Sequence, residues 1–332
     1  MNEPLEDTTQ AGSLAGLAYL PVSLFGSVMG LCGLATAWEL AAIEFGLPGW
    51  VGDAIGCAAV VVFVVLVVAY AIKCFRSPAA VRAEFAHPVA ANFFATPIIS
   101  LLLLPAIVAP HALVLAQVLW IAGTVAMLGF AWLIVSRWMS VRQQIAHATP
   151  AWIVPVVGTL NISTAGVPLD LPGSQPVCVF ALAVGLFFAV PLFTLILSRL
   201  IFEVPMPHPL QPSLMILVAP FAVGFSAYFG VAGRLDLFAE LLFYLAVFML
   251  AVLLPKLVRL RSCSPFHTSW WAVSFPLSAM TLAALKFCIE KPGWLAQAFA
   301  LSMLAFTTLV ILSLGLRTGK GMVEGELRAL TL

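Results

Sequence analysis

Charge is what this chain has least of. Of 332 residues, 9% are Asp, Glu, Lys or Arg and 63% are hydrophobic, with a mean hydropathy of +1.11. A soluble domain carries about 25% charged residues, so a water-soluble globule and a disordered chain are both excluded. An excess of one sign is missing as well. Fifteen basic residues meet fourteen acidic ones, with no dense basic patch for a nucleic-acid partner. Close cysteine pairs are absent. Cys32, Cys57, Cys74, Cys178, Cys263 and Cys288 are scattered, with no CxxC and no metal-ligand spacing, and read as small apolar packing residues. There is no HExxH, no GxSxG, no Gly-rich phosphate loop and no paired carboxylate within the apolar stretches. No enzyme activity, metal or cofactor is therefore expected.

What the chain does have is long apolar runs. The stretch from Val60 to Ala71 reads VVVFVVLVVAYA, which excludes the alternating pattern of an outer-membrane barrel. A helix crosses hydrocarbon with about 20 apolar residues. Breaker to breaker, the sequence predicts ten spans at about 18–45, 51–74, 88–108, 112–136, 150–168, 176–200, 210–232, 236–259, 267–289 and 293–316. The expected fold is an all-α polytopic membrane protein. It divides into an N-terminal tail (1–17), a ten-helix transmembrane domain (18–316) and a C-terminal tail (317–332). The first tail carries Glu3, Glu6 and Asp7 and no Lys or Arg, unlike a secretory signal, so it is expected to be retained.

Loop charges alternate. Lys73, Arg76, Arg82, Arg137, Arg142, Arg199, Lys256, Arg259, Arg261, Arg317, Lys320 and Arg328 fall on one side, and Arg234, Lys286 and Lys291 on the other. The positive-inside rule then places both termini in the cytoplasm of a multi-pass protein of the bacterial inner membrane. Trp38, Trp50, Trp138, Trp152, Trp270, Trp271 and Trp294 fall near span ends, where an amphipathic ring prefers to sit.

Two kinds of span alternate. The even ones are mostly plain and greasy. The odd ones carry Pro, Gly and hydroxyl residues, with Pro97, Pro155, Pro220 and Pro276 spaced by 58, 65 and 56 residues. That spacing suggests a two-helix hairpin repeated about five times. Proline removes a backbone donor and strands a carbonyl, which is tolerated against protein or a watery cavity. Five interrupted spans alternating with five plain ones suggest an inner ring lining a path. Close packing of small residues is the competing explanation, and Pro191 in the sixth span breaks the odd/even rule. Candidate path-lining residues are Gly26, Gly30, Phe94, Pro97, Pro155, Gly158, Pro220, Phe221, Gly224 and Pro276.

Ionisable groups avoid the span centres. Neither a carboxylate or histidine relay nor an acidic ring is present. An uncharged conduit of hydroxyls, amides and backbone dipoles suits a small anion. Phe275 directly precedes the ninth-span proline, and Phe221 follows the seventh-span proline. Such a ring can plug a narrow bore, although on local sequence alone core packing accounts for either.

The runs FGSVMGLCGLATAW, TPAWIVPVVGTLNISTAGVP, LMILVAPFAVGFSAY and above all PFHTSWWAVSFPLSAMTLAAL resemble the TehA-type tellurite-resistance/dicarboxylate transporter family. That family includes bacterial TehA, yeast sulfite and malate exporters and the plant guard-cell slow anion channel. The resemblance covers about residues 18–316. It implies five helical hairpins around a central pore lined by the odd helices, a homotrimer of separately conducting subunits, and Phe275 at the position of the family's gating phenylalanine. The first span departs from the pattern in having no mid-span proline, and no charged selectivity residue carries over, so the anion stays open. The flanking tails are about 17 and 16 residues, so kinase-type control is not implied. Passive anion conduction is the leading expectation. A coupled carrier for C4-dicarboxylates, tellurite or sulfite is the alternative.

Overall fold

Ten apolar helical segments cross the molecule in a computed structural model that describes residues 17–263 and 266–324, with side chains placed except at 260–263. Glu3, Glu6, Asp7 and Arg328, and the side chains of Arg261 and Cys263, lie outside that description. No strand occurs among the described residues.

The first span begins as a 3-10 segment, Val22–Phe25, and continues as α1 (Gly26–Phe45), which ends at Gly46 in the left-handed conformation. Next come α2 (Trp50–Arg76) and α3 (Pro78–Ala86), a short helix that the sequence reading treated as loop. The third span is the 3-10 segment Ala90–Phe94 followed by α4 (Ala95–Val108), and it is paired with α5 (Leu113–Ser140). The fifth is the most broken. It runs through Pro150–Ile153, α6 (Val154–Val157), α7 (Leu160–Gly166) and Val167–Leu169, and bends by 47° between α6 and α7. After α8 (Ser174–Phe202), the seventh span is the 3-10 segment His208–Val218 and α9 (Ala219–Ala232). Then follow α10 (Leu237–Cys263), the ninth span with Thr268–Val273 and α11 (Ser274–Glu290), and finally α12 (Trp294–Val323), which extends beyond the predicted 293–316.

The odd spans close a ring. Helix α1 packs on α4, α4 on α7, α7 on α9, α9 on α11, and α11 back on α1. Behind each lies its hairpin partner (α2, α5, α8, α10 or α12), whose outer face of Val, Leu and Phe is exposed where lipid would lie. Pro191 is on this outer face of α8, which explains why it breaks the odd/even pattern without touching the ring.

Every odd span thus starts as a 3-10 helix and turns α-helical partway, and the spaced prolines mark the change. Pro155 and Pro220 are second in α6 and α9, and Pro97 and Pro276 third in α4 and α11. In the first turn of an α-helix the missing N–H is not needed. The upstream 3-10 pairing also rescues the carbonyl that proline cannot serve, because the residue before the proline donates to it instead. Val154 N–H bonds the Ala151 carbonyl, and Ala219 N–H that of Ile216. In the third span the Thr96 hydroxyl bonds the Phe93 carbonyl at 2.7 Å. At Pro97, Pro155 and Pro220 the expected stranded carbonyl is therefore satisfied within the wall.

Several polar residues of the odd spans are used in the same way. Thr96 Oγ1 and Ser100 Oγ donate to the Val22 and Phe25 carbonyls at 3.0 and 3.1 Å, and Ser274 Oγ to that of Gly26 at 3.0 Å. Trp120 Nε1 bonds the Ile162 carbonyl at the fifth-span break, at 2.9 Å. Close approach of α1 and α11 needs glycine. A Cβ on Gly30 would overlap Ser274 Oγ, and one on Gly33 would lie 2.5 Å from Ser278 Oγ.

Two residues counted as loop charges turn out to be buried inside helices. Lys73, 3% exposed, ends α2 and pairs with Glu84 of α3 at 2.6 Å. Arg199 lies in the last turn of α8 and is 4% exposed. Leaving a guanidinium buried and unpaired costs several kcal/mol, whereas the helix C-terminal dipole offsets only about 0.3–1 kcal/mol.

Candidate functional site

At the basic end of the ring the five odd spans enclose a cavity of about 250 Å³. Its walls come from the 3-10 segments and the first turns after them. A 3-10 helix has 3.0 residues per turn, so positions i and i+3 eclipse there, and the lining residues recur mostly at steps of three from the 3-10 segments into the first α-helical turns. The rows read Ser23, Gly26, Met29, then Ala90, Phe93, Thr96, Ile99, then Val154, Val157, Asn161. The seventh span gives Leu210, Ser213, Ile216, Ala219, Val223, and the ninth Ser269, Ala272, Phe275. Two rows step by four at their inner end, where the α-helix takes over.

The ninth-span row is small at its first two positions and then meets an aromatic ring. Phe275 is half-buried and stands among the innermost lining residues with Met29, Ile99, Val157, Gly158, Val223 and Pro276. These side chains are apolar, with the Asn161 amide one turn beyond Val157 as the polar exception, and a bore lined mainly this way sheds water when it narrows. Gly158 is fixed by packing. A Cβ there would overlap the Val154 carbonyl and approach Met127 Cε to 2.7 Å and Ile99 Cδ1 to 2.8 Å.

Of the residues singled out in the sequence, Gly26, Gly158, Phe275 and Pro276 line the cavity. The rest lie elsewhere. Gly30 is in the α1–α11 seam, and Gly224 faces Leu186 of α8, whose Cδ2 a Cβ would approach to 3.2 Å. Phe94 packs edge-on against Phe85 and Tyr70, with centroids at 5.1 and 6.2 Å. Phe221 does the same against Phe193 of α8, at 5.3 Å. Pro97, Pro155 and Pro220 belong to the first turns of their α-helices and not to the lining. The period-three rows were the missed signal. A reading at 3.6 residues per turn misses that Ala90 and Phe93 share a face in the 3-10 segment, which Thr96 and Ile99 then continue in the first turns of α4.

The cavity mouth holds two ionisable groups, both engaged. Glu84 Oε1 accepts from Val22 N–H at 2.7 Å, and Oε2 accepts from Tyr70 OH at 3.0 Å and Lys73 Nζ at 2.6 Å. Lys73 also donates to the Leu20 carbonyl at 2.7 Å. The carboxylate is thus neutralised by its partner and presents no free negative charge at the entrance. His87 Nδ1 accepts from the N–H groups of Val89 and Ala90 at 3.2 and 3.1 Å, leaving Nε2 to carry the proton of the neutral ring. Among the described residues no cluster of His, Cys, Asp or Glu is arranged to hold a metal.

Residues 19–318 match the family profile described as SLAC1, voltage-dependent anion channel. Among curated proteins the chain is 28% identical to the S-type anion channel SLAH3 of Arabidopsis thaliana, over 89% of this chain and 47% of that one. It is 24% identical to the guard cell S-type anion channel SLAC1 of the same plant, over 89% and 54%. The tellurite resistance protein TehA homolog of Haemophilus influenzae is 27% identical over 92% of both chains. The chain therefore spans about half the length of these two plant relatives and nearly all of the bacterial one.

Proposed function

The chain belongs to the SLAC1 voltage-dependent anion channel family, and from that premise we propose that it conducts small anions passively through the central cavity, with Phe275 as the gate. The observation that carries this reading is the ninth-span row, in which Ser269 and Ala272 leave the wall open and Phe275 fills it at the inner end. The apolar, uncharged lining around that ring supports gating by exclusion of water. Thr96 and Ser213 spend their hydroxyls on backbone carbonyls, whereas Ser269 Oγ has no partner among the described residues, so ion selectivity rests on that hydroxyl, on the potential at the mouth and on exposed backbone dipoles. The basic loops set the cytoplasmic side of a bacterial inner membrane, with both termini there. The subunit works within a homotrimer, each copy with its own conduit.

Proteoliposomes loaded with chloride or nitrate test the reading. Flux down the gradient is expected from the wild type, and Phe275→Ala raises it strongly. Unchanged flux in that variant removes the gate assignment. Transport that stops when a proton gradient is dissipated would replace passive conduction with coupled carriage.

A further inference from the structure

Outside the cavity, the basic end of α8 holds a charge with no ion-pair partner among the described residues. The inward stripe of that helix runs Cys178, Ala181, Leu182, Gly185, Ala189, Leu192 and Ile196, and its last member is Arg199. The side chain is buried, and its Nε and Nη1 groups bond to nothing. Among the described residues no carboxylate comes within ion-pair range, and Glu203 one turn on is exposed. The segment Pro150–Ile153 packs on this helix. Thr149, which precedes it, has a buried Oγ1 without a partner, and Trp152 within it a buried Nε1 in the same condition. Thr149 and Arg199 are thus buried donors on two elements that pack together, each lacking an acceptor among the described residues, while the Trp152 ring stacks on Trp138 of α5 at 5.0 Å. A buried cation of this kind is balanced by an anion.

We propose that the contact between the last turn of α8 and the start of the fifth span binds a small inorganic anion of the chloride class, held by Arg199 with the Thr149 hydroxyl as a second donor. This site is separate from the conduction cavity, since neither residue lines it. A halide here neutralises the guanidinium and locks the outer helix of the third hairpin to the broken fifth span. The occupant is small because both Arg199 and Thr149 are buried, each 4% exposed.

The test uses detergent-purified full-length protein with gluconate as the starting anion and bromide as the probe. Bromide is expected to raise the wild-type melting midpoint by about 2–4 °C. Arg199→Gln abolishes that rise and Thr149→Val weakens it. Anomalous scattering from wild-type crystals grown in bromide places a peak beside Arg199. A full bromide shift retained in Arg199→Gln, or a wild-type map with no bromide at Arg199, overturns the proposal. Should Arg199→Gln fail to fold, the wild-type map decides alone. Neither readout requires the protein to conduct, so failure of the channel reading leaves this result intact.

Discussion

Ser274 Oγ donates to the carbonyl of Gly26 at 3.0 Å, and 248 residues of chain separate the two. This bond sits where the ninth span meets the first and closes the ring. The same hydroxyl bonds the Trp271 carbonyl at 2.7 Å, so it bridges the start of α11 to the start of α1. Ser274→Ala removes one buried hydroxyl hydrogen shared between two carbonyls and is expected to cost about 1–3 kcal/mol. Gly30→Ala drives a methyl group into Ser274 and costs about 1–3 kcal/mol through overpacking. The new methyl meets Ser274 Cβ as well as its Oγ, so Ser274→Gly and not Ser274→Ala relieves the overlap, and Gly30→Ala combined with Ser274→Gly is less destabilised than the sum of its parts. Thermal melts in detergent measure the single and double variants; simple additivity would contradict the contact.

Lys73 and Glu84 tie α2, α3 and the start of the first span together at the cavity mouth. Lys73→Met leaves Glu84 with two of its three donors and is expected to lower stability by about 3–5 kcal/mol, as is Glu84→Gln, which leaves the ammonium buried without its counter-charge. Replacing both with apolar residues of similar volume restores most of the loss. A double variant no better than either single one would show that the ion pair is not what these residues contribute.

Phe275 and Phe221 both neighbour a spaced proline yet have opposite surroundings. Phe275→Ala is expected to raise anion flux with little loss of stability, since the ring is half-buried against the cavity. Phe221→Ala forfeits the about 0.5–1.5 kcal/mol of its edge-on pair with Phe193 and leaves flux unchanged. Flux and melting point recorded on the same two preparations separate the roles.

Asp236, in the loop after α9, is held below the ordinary carboxylate range, first by the Tyr228 hydroxyl at 2.7 Å and then by the N–H groups of Ala239 and Phe238. A depressed carboxylate stabilises the fold above its unfolded pKa, and that contribution is lost as pH falls through the lower folded value. Asp236→Ala should therefore melt earlier than wild type near neutral pH, and the gap should narrow on acidification below the usual range for aspartate. A gap independent of pH would mean that the charged form carries none of the effect.

The sequence reading located ten spans, their alternation and the ring, because apolar length and loop charge report on the bilayer directly. It also singled out Phe275 and Gly158. What it could not show was the helix type. Pro97, Pro155, Pro220 and Pro276 advertise an interruption, but whether that means a kink or a 3-10 segment giving way to α-helix depends on which neighbour donates to which carbonyl, and that is settled by tertiary contacts. The same ambiguity put Phe221 beside Phe275 as a candidate, when a two-residue offset relative to the proline, more than half a helical turn, sends one ring into the cavity and the other onto α8. Lys73 and Arg199 looked like ordinary topology charges because burial at a span end leaves no mark on local hydropathy.

Four of the five staves of the inner barrel are cut to length covalently: α-geometry cannot creep upstream past an imide nitrogen that has no hydrogen to give. The first stave has no such stop. Its pitch change at Phe25 and Gly26 is held from outside, by hydroxyls lent from the third and ninth spans. That makes the first span the adjustable member of the set. Rewinding it by even one residue would rotate Met29 relative to Phe275 and reshape the throat, while the other four walls kept their register.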